Sequence, residues 1–328
     1  MKKGIVIVAA LLTMPLAVTA WIQQPFNHEI GELKFAGLSK ADPASLKKDV
    51  EKLYGEFGNR HFDDVTTLDL AANYIQNEFS KVSSRTRLQS YQVDSEMFSN
   101  VIARFGPTNG NPIIIGAHYD AEAETAGADD NASGVAGLLE LARLFAKNPP
   151  SVPVELVAYT LEEPPNFRTE SMGSRQHAAQ LVNDGITPRL VIVLEMIGYF
   201  NDAPNSQEYP IGALKWLYPN TGDFIAVVGN LANPGDTKLV KMIMKSTNPN
   251  LAVESISAPS ALTGIDFSDH ASYWLHDMPA VMITDTSFYR NANYHKATDT
   301  PDTLNYQRMA QVVEGVFAVV NHFIPEPI

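Results

Sequence analysis

The residues that most constrain this chain are 111–145, with the sequence NPIIIGAHYDAEAETAGADDNASGVAGLLELARLF. An apolar run at 112–117 is short and rich in isoleucine, so it predicts a buried strand. A loop of small residues follows and carries Asp129 and Asp130. Apolar residues then recur at helical spacing, at Val135, Leu138, Leu139, Ala142 and Phe145, with Asn131 or Ser133 placed to cap the helix. The segment therefore predicts a strand, an acidic loop and a helix.

His118 stands where this strand should end, and Asp120 follows two residues later. A carboxylate that hydrogen-bonds an imidazole fixes its tautomer and raises its basicity, which is a common arrangement for a metal-binding histidine. A hydrogen-bonded loop histidine and a solvated turn at Asp129 and Asp130 would produce the same local pattern. The rest of the chain has to decide between the two interpretations.

Composition excludes several classes of protein. The 328 residues contain no internal repeat and 19% charged residues, which favours one folded α/β unit over a disordered chain. The net charge of -13, without a cluster of Lys and Arg, makes nucleic acid an unsuitable partner. The absence of cysteine removes disulfides, thiolate metal sites and cysteine nucleophiles.

The N-terminus has the features of a secretory signal. Lys2 and Lys3 precede an apolar run at 5–17, and Val18-Thr19-Ala20 form a small-residue cleavage site, so the mature chain would begin at Trp21. We expect a signal peptide at 1–20, a tether at 21–44 and one catalytic domain at 45–328, exported to the periplasm or the extracellular space. An uncleaved membrane anchor reaching about residue 22 is the alternative.

Strand and helix patterns alternate along the remaining chain. Helical spacing marks 44–57, 67–81, 237–245 and 303–323, with a short helix within 267–274, and strand patterns mark 87–93, 100–105, 152–160, 190–194, 224–229 and 279–284. This order predicts a single-domain α/β/α sandwich around a mostly parallel, mixed sheet. Such sheets bind ligands at the carboxyl ends of their strands.

Six candidate side chains follow strand ends in this prediction: His118, Asp130, Glu162, Glu163, Glu195 and His295. Histidines and carboxylates without thiolates suit zinc or a similar divalent ion. One aspartate can bridge two ions about 3.5–4 Å apart, and the ions can hold a water between them as hydroxide. The minimal assignment makes Asp130 the bridge, with His118 and Glu195 on one ion and Glu163 and His295 on the other.

At the end of a strand, the side chains of adjacent residues point in different directions. One member of the Glu162-Glu163 pair can therefore bind metal, while the other takes a proton from the water and returns it to a leaving amine. A solvated surface pair is the alternative. The apolar strand that leads into the pair argues against exposure.

These residues resemble the co-catalytic zinc aminopeptidases of metallopeptidase clan MH. The similarity covers roughly Ser99 to the C-terminus, about two thirds of the chain, in six motifs of the same order: His118-Tyr119-Asp120, Gly127-Ala128-Asp129-Asp130-Asn131-Ala132-Ser133-Gly134, Glu162-Glu163, Leu194-Glu195-Met196, Ser268-Asp269-His270, and Tyr294-His295 with Asp299-Thr300-Pro301-Asp302. The resemblance implies a zinc exopeptidase-like fold, two zinc ions per chain, Glu162 as general base and acid, and Asp120 as the residue that orients His118. It also implies a cis peptide after Asp130.

The chain departs from the family pattern in three ways, one of which is that no inserted protease-associated domain is evident. Glu195 stands where aspartate is common, and residues 164–172 form a longer segment after the glutamate pair than is usual. Asp269 and His270 are expected to support the site or cap a helix rather than bind metal. Tyr199, Phe200, Trp216 and Tyr218 are candidates for the pocket that accepts the first side chain of the substrate.

The resulting hypothesis is an exported di-zinc metallo-aminopeptidase, acting as a monomer on peptides with a free N-terminus. A glutaminyl cyclase of the same fold, which uses one zinc ion and also has a long segment after its glutamate pair, is the first alternative. A non-catalytic binding protein that has lost its ligands is the second. All five ligand positions are filled, which argues against the second alternative.

Overall fold

The computed structural model describes residues 39–323. In these residues, one eight-stranded sheet is packed against seven α-helices. The strands are β1 (Thr86–Val93), β2 (Glu96–Phe105), β3 (Ile113–His118), β4 (Val154–Tyr159), β5 (Leu190–Glu195), β6 (Phe224–Gly229), β7 (Ala252–Ser257) and β8 (Ala280–Thr284). The helices are α1 (Pro43–Glu56), α2 (Val65–Ser80), α3 (Gly134–Lys147), α4 (Gly173–Asn183), α5 (Pro234–Thr247), α6 (His270–Trp274) and α7 (Tyr306–His322).

The strand order across the sheet is β1-β2-β4-β3-β5-β8-β6-β7. The four pairs β4–β3, β3–β5, β5–β8 and β6–β7 are parallel, whereas β1–β2, β2–β4 and β8–β6 are antiparallel. The carboxyl ends of β3, β4, β5 and β8 consequently meet at one edge of the sheet. The mixed, mostly parallel α/β architecture predicted from the sequence is confirmed.

Helices cover the two faces of the sheet unequally. The larger core lies under α1, α2, α3, α5 and α7, whose apolar residues pack on one face. On α1, Leu46, Val50 and Leu53 form the buried stripe, and Asp42 caps the helix through the amide of Ala44. On the other face, α4 and α6 cover β3, β4 and β5 but leave the β6 side to loops. This uncovered part of the second face becomes a cavity beside the edge where the parallel strands end.

A chain of buried hydrogen bonds fixes α4 and α6 against β4. His177 Nε2 lies 2.7 Å from a carboxylate oxygen of Glu155, and its Nδ1 lies 2.6 Å from the Tyr273 hydroxyl. The Tyr273 hydroxyl also contacts the Tyr159 hydroxyl at 2.5 Å. His177 therefore has a structural role, since both ring nitrogens are occupied.

The sequence prediction missed one strand. Residues Ala252–Ser257 form β7 at the sheet edge, where Val253, Ser255 and Ser257 are buried and alternate with more exposed residues. Six residues with three polar side chains give only a weak strand signal, and pairing with β6 supplies what the pattern lacks. The predicted signal peptide and residues 21–38 of the predicted tether lie outside the described residues. Within residues 39–323, none of the helices has the length and apolar character that crossing a bilayer requires.

Candidate metal centre

His118 is the last residue of β3 and is almost completely buried. Its Nδ1 donates to the main-chain carbonyl of Asp120 at 3.1 Å and lies 3.5 Å from a carboxylate oxygen of the same residue. The other carboxylate oxygen of Asp120 accepts the amide proton of Glu163 at 2.9 Å. Asp120 thus fixes both the ring of His118 and the backbone of the glutamate pair. The main-chain carbonyl of Asp120 is nearer to the His118 ring than its carboxylate is.

The five predicted ligand residues lie together at the strand ends in two groups that share Asp130. In the first group, His118 Nε2 lies 3.4 Å from Asp130 Oδ1 and 3.4 Å from Glu195 Oε2. In the second, His295 Nε2 lies 3.2 Å from Asp130 Oδ2 and 3.4 Å from Glu163 Oε2. We call these the His118 donor set and the His295 donor set. The two oxygens of Asp130 face different histidines.

These separations fit zinc. Two ligands that each lie about 2.0–2.2 Å from a tetrahedral ion are separated by about 3.3–3.5 Å. Both Nε2 atoms are buried and lack a hydrogen-bond partner among the described residues. A buried imidazole nitrogen without a partner is costly, so an arrangement that leaves two of them facing carboxylates suits a metal centre.

The carboxylates and histidines perturb one another strongly. Burial opposes protonation of His295, but Asp130 and Glu163 outweigh it and raise the pKa of His295 to about 10. Burial likewise opposes protonation of His118, yet Glu195, Asp120 and Asp130 raise the pKa of that histidine well above its usual range. Burial and the charge of Asp130 raise the pKa of Glu163 to about 8. Without a cation, the centre therefore holds protons that metal binding has to displace.

Glu162 lies beside the donor sets without completing either of them. Its carboxyl oxygen is within 4.8 Å of the donor atoms of His118 and Glu163, and it faces the cavity. Burial raises the pKa of Glu162 well above the usual value for glutamate. A raised pKa is the direction expected for a carboxylate that both takes and returns a proton near neutral pH.

The loop that carries Asp130 is held by residues that the sequence analysis did not assign. Arg60 is fully buried and donates to the main-chain carbonyls of Ala126 and Gly127, each at 2.6 Å. The Asp299 carboxylate accepts the amide protons of Asp129 and Asp130 at 3.0–3.1 Å. Asp299 belongs to one of the six motifs, but neither it nor Arg60 had a predicted role at this loop, because only the fold brings them there.

The backbone of the loop explains its small residues. Gly127 has φ +50, and a Cβ there would lie 1.9 Å from the carbonyl oxygen of Asp130. The Asp130-Asn131 peptide is cis, as the resemblance implied. Asn131 is one of the two predicted caps. Its side-chain oxygen accepts hydrogen bonds from the amide of Gly134, the first residue of α3, and from the amide of Met196. The cap thereby ties the loop to the end of β5.

Within the Ser268-Asp269-His270 motif, Ser268 contacts a candidate metal ligand. Ser268 donates to Glu195 Oε2 at 2.6 Å, and His270 Nε2 donates to the carbonyl of Ile265 at 2.7 Å. Asp269 occupies the cap position of α6 but makes no side-chain cap, so the helix-capping hypothesis is wrong for it. Neither Asp269 nor His270 belongs to a group of potential metal ligands among residues 39–323. Ser268 belongs to a motif of the resemblance, but its contact with Glu195 was not predicted, because a serine carries no metal-ligand signal.

A cavity of about 210 Å³ opens from the centre along the second face of the sheet. Its floor includes Ala226, Val228 and Met282, and Phe167 and Phe267 stand at its walls. Among the four candidate pocket aromatics, Tyr218 lines this cavity, whereas Tyr199 and Phe200 pack against the main core and Trp216 is 91% exposed. The long segment after the glutamate pair contributes Pro164 and Phe167 to the wall.

Known proteins resemble this chain in sequence and in fold. The uncharacterized protein YfbL of Escherichia coli (strain K12) is 48% identical over 288 residues, which cover 85% of this chain and 88% of that protein. A probable leucine aminopeptidase of Arthroderma otae is 24% identical over 307 residues, covering 89% of this chain and 74% of its own length. The crystal structure of Bacteroides thetaiotaomicron glutaminyl cyclase matches 88% of this chain and 100% of its own, with a TM-score of 0.68 and 19% identity. This last likeness confirms the fold.

Residues 100–320 match the sequence profile of peptidase family M28. The matched region begins within β2, includes every residue of the two donor sets and extends into α7, so it contains the whole edge of the sheet where the candidate centre lies. Because the match extends over well more than half of the chain, this protein belongs to peptidase family M28.

Proposed function

We propose that this chain is a di-zinc aminopeptidase that hydrolyses the first peptide bond of peptides with a free N-terminus. One observation carries the proposal: Asp130 Oδ1 faces His118 at 3.4 Å while Asp130 Oδ2 faces His295 at 3.2 Å. A carboxylate with its oxygens directed at two separate histidines, each of which has one further carboxylate, is the donor arrangement that two neighbouring ions require.

Each of these residues has a distinct role in the proposed reaction. His118, Asp130 and Glu195 would hold one zinc ion, and His295, Asp130 and Glu163 the other. Bound zinc supplies Lewis-acid polarisation of the substrate carbonyl and lowers the pKa of a water. Glu162 accepts a proton from the attacking water and delivers it to the leaving amine nitrogen. Ser268 holds Glu195 in place through its hydroxyl, and Asp120 holds His118.

The cavity beside the centre suits the side chain of the first residue. Its walls are mainly apolar, with Val228, Ile256 and Met282 near one another on adjacent strands. Burial of an apolar side chain there is favourable by about 25 cal/mol per Å² of apolar surface. We therefore propose an apolar first residue as the preferred substrate, in keeping with the leucine aminopeptidase name of the fungal relative.

A glutaminyl cyclase is the second candidate, because a protein with that activity shares the fold. The extended segment at 164–172, which lines the cavity through Pro164 and Phe167, also fits that alternative. A cyclase uses the substrate amine as nucleophile and needs one ion to polarise the amide. The complete His118 donor set supports the hydrolase, since a one-zinc reaction would have no use for it.

We also propose that the protein is exported, on the basis of the N-terminal signal described above, and that it acts as a monomer. N-terminal sequencing of protein from an exporting host should begin at Trp21. Recovery of a form that begins at Met1 and is extracted only by detergent would support the anchor instead.

Activity against an aminoacyl anilide and a dipeptide tests the proposed function. Zinc-loaded protein should release free amino acid from both, dialysis against a chelator should abolish release, and added zinc should restore it. Full turnover by metal-free protein would contradict the proposal.

A further inference from the structure

A carboxylate outside both donor sets lies beside the His295 set. Glu122 belongs to the loop after β3, two residues beyond Asp120. Donor atoms of Glu122, Glu163 and His295 all lie within 4.8 Å of one another. Glu122 is absent from the ligand pattern that the resemblance implied, and the family match does not assign it a role.

The hydrogen-bonding state of this carboxylate points to a missing partner. Glu122 Oε2 is buried and has no hydrogen-bond partner among the described residues. The neighbouring Glu163 is only 4% exposed, and its Oε1 also lacks a partner. Buried oxygens that give up water without gaining a donor are unfavourable, and a cation shared with the neighbouring His295 would satisfy them.

The loop backbone holds Glu122 in this place. The amide and hydroxyl of Thr125 donate to the main-chain carbonyl of Glu122 at 3.2 and 3.0 Å. The amide of the preceding Ala121 donates to the carbonyl of Arg60 at 3.0 Å. Because the chain is fixed on both sides of it, the position of Glu122 is part of the fold.

Two cations could occupy this position: a metal ion, or the ammonium group of a substrate. Glu163 and His295 line the cavity through which a substrate reaches the centre, whereas Glu122 does not. Glu122 therefore lies near both donors without lining the cavity. That position suits a ligand to an ion and not a contact with a molecule in the cavity.

We propose that Glu122 is an additional carboxylate ligand of the ion in the His295 donor set, an inference that rests on the proposed zinc centre. The His295 set would then contain the carboxylates of Asp130, Glu163 and Glu122, whereas the His118 set contains those of Asp130 and Glu195. A larger number of anionic oxygens raises the affinity for a divalent ion. The His295 site should consequently fill first and release its ion last.

Calorimetric titration of chelator-stripped protein with zinc tests this asymmetry. Wild type should bind two ions in distinguishable steps. Glu122→Gln should weaken the tighter step by about 10–100-fold, the loss expected when a residue that supports a metal is removed. Glu122→Asp keeps the charge but shortens the side chain, and it should weaken the same step. Glu124→Gln is the matched control, because Glu124 is exposed in the same loop and its substitution removes the same charge.

The possible results separate this proposal from the proposed function. Equal zinc affinities for Glu122→Gln and Glu124→Gln would overturn the role of Glu122 and leave the two-zinc enzyme standing. Unchanged zinc binding with a raised KM for an aminoacyl anilide would also overturn it, by assigning Glu122 to the substrate ammonium. Wild type that binds no zinc would overturn both proposals. Matching unfolding curves of the variants in chelator would show that any loss of affinity is local.

Discussion

Replacement of Arg60 by methionine should destabilise the protein markedly, even though Arg60 contacts no predicted ligand. The side chain is fully buried, and its two hydrogen bonds to the carbonyls of Ala126 and Gly127 are both 2.6 Å long. Burial lowers the pKa of Arg60 to about 10, against the opposing charges of Asp299 and Asp120, so the guanidinium remains charged at neutral pH.

The magnitude follows from these contacts. A hydrogen bond from a charged donor contributes about 1.5–3 kcal/mol, so two contribute about 3–6 kcal/mol. Methionine removes both bonds but avoids the cost of burying a guanidinium, and its flexible chain fills much of the space. We expect a net loss of about 2–4 kcal/mol in the free energy of unfolding. In a chain of this size, that loss lowers Tm by about 3–7 °C.

Thermal and urea unfolding of metal-free protein, followed by circular dichroism, measure the change. The control is Arg85→Met, because half-buried Arg85 donates to a single carbonyl, that of Gly106, at 2.7 Å. The control should lose less than about 1.5 kcal/mol. If Arg60→Met lost no more than the control, the argument that Arg60 fixes the Asp130 loop would be refuted.

Other substitutions and conditions test the centre and its support. Glu162→Gln should retain zinc but slow turnover by about 10²–10⁴-fold, whereas Glu163→Ala should lose zinc. If a metal assay showed that Glu162→Gln loses zinc and Glu163→Ala retains it, the two roles would have to be exchanged. Because Asp130 and Glu163 raise the pKa of His295 to about 10, zinc binding at pH 7 should release a proton from His295, and affinity should rise from pH 6 to pH 8. Calorimetry in buffers of different ionisation enthalpy would detect the proton release, and its absence would contradict the prediction. Tyr273→Phe should cost about 1–3 kcal/mol in urea unfolding, because it removes the hydroxyl that serves His177 Nδ1, and an unchanged midpoint would show that water replaces it.

Local pattern was sufficient to predict most of the fold and the donor residues. The buried strands β3 and β6 are continuous apolar runs, and the helix α3 has a clear helical period. His118 and Glu195 end their strands, and Glu163 lies in the loop after β4. β7 was missed because its sequence alternates only weakly between apolar and polar residues, and pairing with β6 is what makes it a strand. Arg60 gave no signal in the sequence. Ser268 and Asp299 belong to the motifs of the resemblance, but their contacts could not be predicted, since these depend on distances across the fold and not on spacing along the chain.

The aminopeptidase is tested most directly by one incubation of zinc-loaded protein with a peptide that begins with glutamine, followed by mass measurement. Both proposed activities act on such a peptide, but they remove different groups. The two complete donor sets predict that the peptide loses the whole glutamine residue and that free glutamine appears. Loss of ammonia alone, with every residue retained, would contradict the account and identify a cyclase.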